Sequence, residues 1–200
     1  AHRSSVSPHV DRRCGCGAQA LSRRNVILAA LALASAPLLR YLPAHAATSE
    51  VSKVAPGVFV HQGRHEVQSA ANGGDIANAS FVVGSDGVAV IDTSGSAKLG
   101  AELRDAIRAV TNKPIKYVIN THMHPDHVFG NAAFKQDNPE FVGHYKLARA
   151  LGTRKDGYLA ANAQMIGEDA FAGSEIVLPT LAIKEPTTLD LGNRKLLLEP

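Results

Sequence analysis

A chain of 200 residues with 45% apolar content can hold one domain with a single sizeable core plus a leader, and this composition is neither disordered nor fibrous. The net charge of +3 comes from the N-terminal end: beyond residue 46 there are 15 basic against 17 acidic residues, so the basic pI is no argument for a nucleic-acid partner. Both cysteines, Cys14 and Cys16, also lie before residue 47, so any metal site in the remainder must be built from His and Asp rather than thiolate.

Residues 1–46 read as a signal peptide. A long basic n-region precedes an apolar run from Val26 to Leu39, and Ala44-His45-Ala46 supplies a small-x-small cleavage pattern. The competing reading is a buried or membrane-lying helix. The run is too short to span a bilayer comfortably, so no permanent membrane span is expected once the leader is removed. Ser22-Arg23-Arg24-Asn25-Val26 resembles a twin-arginine signal, with Val26 where Phe is usual. Periplasmic localisation is the expectation.

Residues 47–200 form the second region. Val51–Val54 and Val58–His61 read as strands around Pro56-Gly57, and residues 62–78 as a long polar loop. Phe81–Val83 and Val88–Ile91 form a hairpin about Gly84-Ser85-Asp86-Gly87. A helix follows, capped by Ser94 or Ser96, with Leu99, Leu103, Ile107 and Val110 on one stripe and Asn112-Lys113-Pro114 ending it. Ile115–Asn120 is predicted as a strand and Phe141–Gly143 as a short one. Residues 145–166 are predicted helical with a break near Gly152 or Gly157. Thr187–Leu191 and Arg194–Glu199 are predicted strands around Gly192-Asn193. Strands and helices mix without strict alternation, which favours a mixed sheet packed by helices.

The chemistry lies in His122-Met123-His124-Pro125-Asp126-His127, directly after the strand Ile115–Asn120. In an extended segment residues two apart share a side, so His122, His124 and Asp126 can face one point. Pro125 biases His124 toward extended angles, and His127 points elsewhere as the chain turns into a helix. The expectation is two ligands for one metal and two for a neighbouring one. Imidazole and carboxylate suit Zn²⁺, and two zincs sharing a hydroxide would attack a carbonyl, thioester or phosphoester. Asp126 would bind metal and also orient the nucleophile or handle its proton, and is the candidate catalytic residue. A structural site is the other option. The lack of Cys argues against it, since closed structural zinc sites commonly use thiolates.

This motif and its setting resemble the metallo-β-lactamase fold superfamily over roughly residues 50–200. Within it, the chain is most similar to the quinoprotein relay system zinc metallohydrolases. The matching pieces are Gly74-Asp75-Ile76-Ala77-Asn78, Val90-Ile91-Asp92-Thr93, Lys113-Pro114-Ile115 and Asn120 through Asn131. The resemblance implies an α/β fold, a four-layer αββα sandwich with metals at one edge, and two Zn²⁺ per complete site. It also implies a small-molecule substrate and a quinoprotein system partner. It places Asp92 near the metals, where it would orient a ligating imidazole; a plain helix N-terminal acid is the equal alternative. His61 and His65 read as loop or surface residues, and His144 as a polar residue at a strand end that could sit near the site mouth.

The family pattern needs a third His for the first metal, a bridging Asp and a last His, and no His follows His144. The domain is therefore expected to be incomplete at its C-terminus, with these ligands beyond Pro200 and this chain alone inactive. The sequence-level reading is an exported zinc-dependent hydrolase acting on an ester, thioester or amide bond, β-lactams included. The alternative is a non-catalytic periplasmic metal-binding accessory protein of a quinoprotein oxidation system.

Overall fold

The structure is a computed structural model and describes residues 50–200. The leader features, from Cys14 and Arg23-Arg24 to Ala44-His45-Ala46, lie outside the described residues. Among the described residues no helix is long and apolar enough to cross a membrane.

Seven strands form one sheet in chain order: β1 (Val51–Ala55), β2 (Val58–His61), β3 (Ala79–Val83), β4 (Val88–Ile91), β5 (Ile115–Asn120), β6 (Glu140–His144) and β7 (Leu181–Ile183). β1 to β4 pair antiparallel through short connections. The Gly84–Gly87 turn closes with a 2.9 Å bond from Gly84 N–H to the Gly87 carbonyl. From β4 onward the pairing is parallel, because helical crossovers return the chain to the same edge. β8 (Thr187–Asp190) and β9 (Lys195–Leu198) pair antiparallel as a separate two-stranded sheet.

Alternation along the strands sends side chains to both faces of the large sheet. Phe81, Val90 and Val118 point to the side where Leu103 and Ile107 of helix α1 (Ala97–Val110) pack with Phe134. Val82, Ala89 and Ile119 point to the opposite side, against Leu189, Leu191, Leu196 and Leu198 of the β8–β9 hairpin. The described residues thus supply a helical layer, the large sheet and a second sheet. This is the mixed α/β arrangement expected.

Several local expectations change. Of the two serines, Ser96 caps α1: its backbone is extended and its Oγ accepts from Leu99 N–H at 3.2 Å. Val110 is exposed rather than on the buried stripe, and Gly100 and Ala106 complete that stripe instead. Helix α4 (Leu147–Ile166) runs unbroken through Gly152 and Gly157. Both glycines lie on the open side of the helix, where a side chain would meet nothing, so they weaken the helix without ending it. The helix into which the chain turns at His127 is α2 (Pro125–Val128), whereas two further short helices, α3 (Asn131–Phe134) and α5 (Glu168–Phe171), were not anticipated.

Gly100 and Gly130 fix how α1 approaches the rest. A Cβ on Gly100 would collide with the Gly130 carbonyl, and a Cβ on Gly130 would collide with the Thr93 carbonyl. The segment behind the histidine motif is therefore clamped between α1 and the end of β4 at backbone contact.

Candidate metal centre

Three parallel strands end at one place. Asp92 follows β4, Thr121 to His124 follow β5, and His144 closes β6. The carboxyl ends of parallel strands are where open α/β sheets build their sites, since loops there are free to carry chemistry.

After Asn120 the chain bends, and His124 is the extended residue (φ −66°, ψ 145°) that leads into α2 with Pro125 in its first turn. The extended alternation therefore stops at His124. Asp126 lies in the first turn of a helix rather than in an extended segment, and His127 is its helical neighbour. Pro125 explains the difference: its fixed φ suits a helix start, and it lacks the N–H that such a start would leave unpaired.

The four residues meet in pairs. His122 Nε2 and His124 Nδ1 are 3.2 Å apart. His127 Nε2 is 3.4 Å from Asp126 Oδ2. The His122 and His127 rings lie 4.1 Å apart, centroid to centroid, and join the two pairs. Among the described residues no three His, Cys, Asp or Glu side chains form a ready cage for one ion. The pairs nevertheless fit zinc: Zn–N bonds of about 2.0–2.1 Å in a tetrahedron place neighbouring donor atoms about 3.3 Å apart. The donor chemistry agrees, since imidazole and carboxylate are both zinc ligands.

Asp92 is buried at 4% exposure and turned toward the motif. Its Oδ1 accepts Thr121 N–H at 2.9 Å, and its Oδ2 accepts the Thr121 hydroxyl at 2.7 Å and His127 Nδ1–H at 2.8 Å. Of the two readings of Asp92, imidazole orientation is the one the geometry favours. Nδ1–H faces Asp92, so Nε2 of His127 is the nitrogen left for another partner. Asp92 adopts a left-handed backbone (φ 57°), as does Ser94 (φ 70°); such strain in non-glycine residues collects where a side chain must be aimed.

Beneath α2 lies a buried polar hub that the sequence reading did not anticipate. The His127 carbonyl accepts Thr93 N–H at 3.0 Å and Asn120 Nδ2–H at 3.1 Å. Asn131 donates to Asn120 Oδ1 at 2.7 Å, and Thr93 Oγ1 donates to Asn131 Oδ1 at 2.8 Å. The available signal was a pair of asparagines, at 120 and 131, bracketing the motif at positions that must be interior if β5 and α3 are.

The electrostatics follow from these contacts. Burial works against a charged His127, but Asp126 and Asp92 outweigh it and push its pKa up to about 9. The Asp126 carboxyl is held below its ordinary value, chiefly by its hydrogen bond to His127. His122 is pushed down, first by burial and then by its histidine neighbours.

The remaining histidines divide. His65 is exposed, as expected. His61 is not a surface residue: it is buried, with Nε2 2.7 Å from Asp75 Oδ1 and Nδ1 3.1 Å from the Glu50 carbonyl oxygen. Its partner Asp75 lies across the 62–78 loop, which no local spacing reveals. His144 borders the groove that also contains His122, with Nδ1 accepting Lys146 N–H at 3.2 Å.

The mixed α/β sheet thus presents paired imidazoles and a buried orienting carboxylate at its strand ends. Residues 72–197 match the family model of the metallo-beta-lactamase superfamily, and the chain belongs to that superfamily. It is similar to a linear primary-alkylsulfatase of a Pseudomonas species, 31% identical over 62 residues, which is 31% of this chain and 12% of that protein. In fold it is similar to a metallo-beta-lactamase from Pontibacter korlensis (TM-score 0.53, 19% identity, 74% of this chain and 58% of that one). It is also similar to a subclass B3 metallo-beta-lactamase of Bradyrhizobium japonicum (TM-score 0.52, 20% identity, 76% of this chain and 52% of that one). The chain thus spans little more than half of these solved structures and a small part of the alkylsulfatase.

Proposed function

We propose that this protein is an exported zinc-dependent hydrolase that cuts an ester, thioester or amide bond of a small molecule, with β-lactams among the candidate substrates. One observation carries the reading: a single turn, from His122 to His127, delivers three imidazoles and a carboxylate in pairs at ligand spacing, with Asp92 aiming one of them. Superfamily membership supports it.

His122 and His124 would hold one Zn²⁺, and Asp126 and His127 a second. Bound zinc would supply Lewis-acid activation of water and of the scissile group. The depressed pKa of His122 keeps its imidazole neutral near pH 7, with a lone pair to give. Asp126 is ionised at the same pH, so its carboxylate oxygens can orient the attacking water and accept its proton. Asp92 accepts from His127 Nδ1–H and so fixes the ring with Nε2 as the nitrogen that would give up its proton to bind metal, and Thr121 fixes Asp92 in turn. The leader read in residues 1–46 would deliver the protein to the periplasm.

The test is turnover by the zinc-loaded full-length protein of a panel holding a chromogenic β-lactam, a thioester, a carboxylic ester and an alkyl sulfate. The reading expects hydrolysis of at least one class, lost in Asp126→Asn. Full zinc loading with no turnover anywhere would favour the accessory-protein reading.

A further inference from the structure

Two grooves run together beside the donor cluster, along the first turns of α4. One, of about 280 Å³, is bordered by His122, Met123, His144, Lys146, Leu147 and Ala150. The other, of about 560 Å³, continues from Lys146 and Ala150 to Tyr145, Arg149 and Arg154. They share Lys146 and Ala150, so they form one trough with His122 at its inner end.

The trough changes character along its length. Near His122 the wall is apolar: Leu147 is buried, and half-buried Met123 packs with it, Val128 and Leu151. At the outer end stand three exposed cations, Lys146, Arg149 and Arg154. No Asp or Glu among the described residues borders either groove. Among the described residues none of the three cations forms an ion pair with a carboxylate, whereas Arg104, Arg108 and Lys135 all do. Lys146 Nζ instead lies over the Tyr145 ring at 5.3 Å, and Arg154 donates to the Ala150 carbonyl of its own helix at 3.2 Å. Positive charge left uncompensated along a cleft gathers anions there. Ammonium and guanidinium groups with spare donors bind oxyanions through charge-assisted hydrogen bonds.

We propose that this trough is the substrate track, and that the substrate carries a carboxylate, sulfate or phosphate group on a short apolar segment, with its scissile bond at the other end. Lys146 and Arg149 hold the anion, Arg154 extends the field outward, and Met123 and Leu147 carry the apolar segment toward His122. The assignment of a scissile bond rests on the hydrolase reading, whereas the anion site does not depend on turnover.

The experiment uses hexyl sulfate as the probe, with hexanol as its uncharged counterpart, and follows methionine methyl signals by NMR. The chain has only two methionines, so Met123 reports on the trough and Met165, on the C-terminal part of α4, serves as the internal reference. Hexyl sulfate should shift Met123 and leave Met165 in place. Its affinity should fall about tenfold in K146Q/R149Q and be kept in K146R/R149K. Hexanol should bind the native protein no better than the K146Q/R149Q variant. If turnover is found, preference for anionic over neutral esters of the same length should fall about tenfold in K146Q/R149Q. Hexyl sulfate binding as described with no hydrolysis of any ester keeps the anion track and removes the hydrolase reading. Equal hexyl sulfate affinity in the native and K146Q/R149Q proteins, or no shift at Met123, overturns the track even in an active hydrolase.

Discussion

Replacing Asn131 by Ala tests whether the hub beneath α2 supports the site. The Asn131 side chain is fully buried and makes three hydrogen bonds: to Asn120 Oδ1 at 2.7 Å, from Asn120 Nδ2 at 3.2 Å and from Thr93 Oγ1 at 2.8 Å. After truncation, Asn120 Nδ2 and Thr93 Oγ1 keep the His127 carbonyl as a partner. Asn120 Oδ1 keeps nothing, and an orphaned buried acceptor costs about 1–3 kcal/mol on top of about 1 kcal/mol for each net bond lost. The expected loss is about 2–4 kcal/mol. Urea unfolding followed by circular dichroism measures it. Asn120→Ala combined with Asn131→Ala removes the orphan along with its partner, so the double variant should be more stable than additivity predicts by about 1–3 kcal/mol. A loss below about 1 kcal/mol for Asn131→Ala, or strict additivity in the pair, would refute the hub.

Two further outcomes follow from the Asp92–His127 contact. Asp92→Asn removes the carboxylate that orients His127 and should weaken zinc binding about 10–100-fold, measured by competition with a chromogenic chelator; unchanged affinity would show that Asp92 is only a strand-end acid. The metal-free protein should lose stability as pH rises. His127 has a folded pKa of about 9 against an ordinary 6.5, so its contribution is complete below pH 6.5 and lost as pH climbs through 9. Urea midpoints in chelator should fall between pH 6 and pH 9.5, by no more than about 3 kcal/mol in stability, and His127→Gln should flatten that slope.

Where local pattern decides structure, the sequence was readable. Val88–Ile91 is a β-branched run and Ile115–Asn120 carries Ile115, Val118 and Ile119, so both read as strands, and the four-residue spacing of Leu99, Leu103 and Ile107 required a helix. The motif His122–His127 was visible because its donors are adjacent in the chain. Less readable were features whose cause is tertiary. β7 has three residues, too few to show a period, and exists because β6 offers it an edge. His61 is buried by Asp75 and Glu50, 14 and 11 residues away. The helical placement of Asp126 depends on Pro125, which could equally have kept the chain extended. The cationic trough needed α4 laid beside Met123 before its charges had a common address.

The account centres on zinc held by the His122–His127 turn, and metal content measures this most directly. Purified full-length protein dialysed against zinc buffered at a defined free concentration should contain bound Zn²⁺ by elemental analysis. The H122A/H124A variant should lose the ion assigned to that pair, and adding Asp126→Ala and His127→Ala should abolish binding, with circular dichroism confirming that each variant remains folded. Folded quadruple variant that retains native zinc content would contradict the assignment outright.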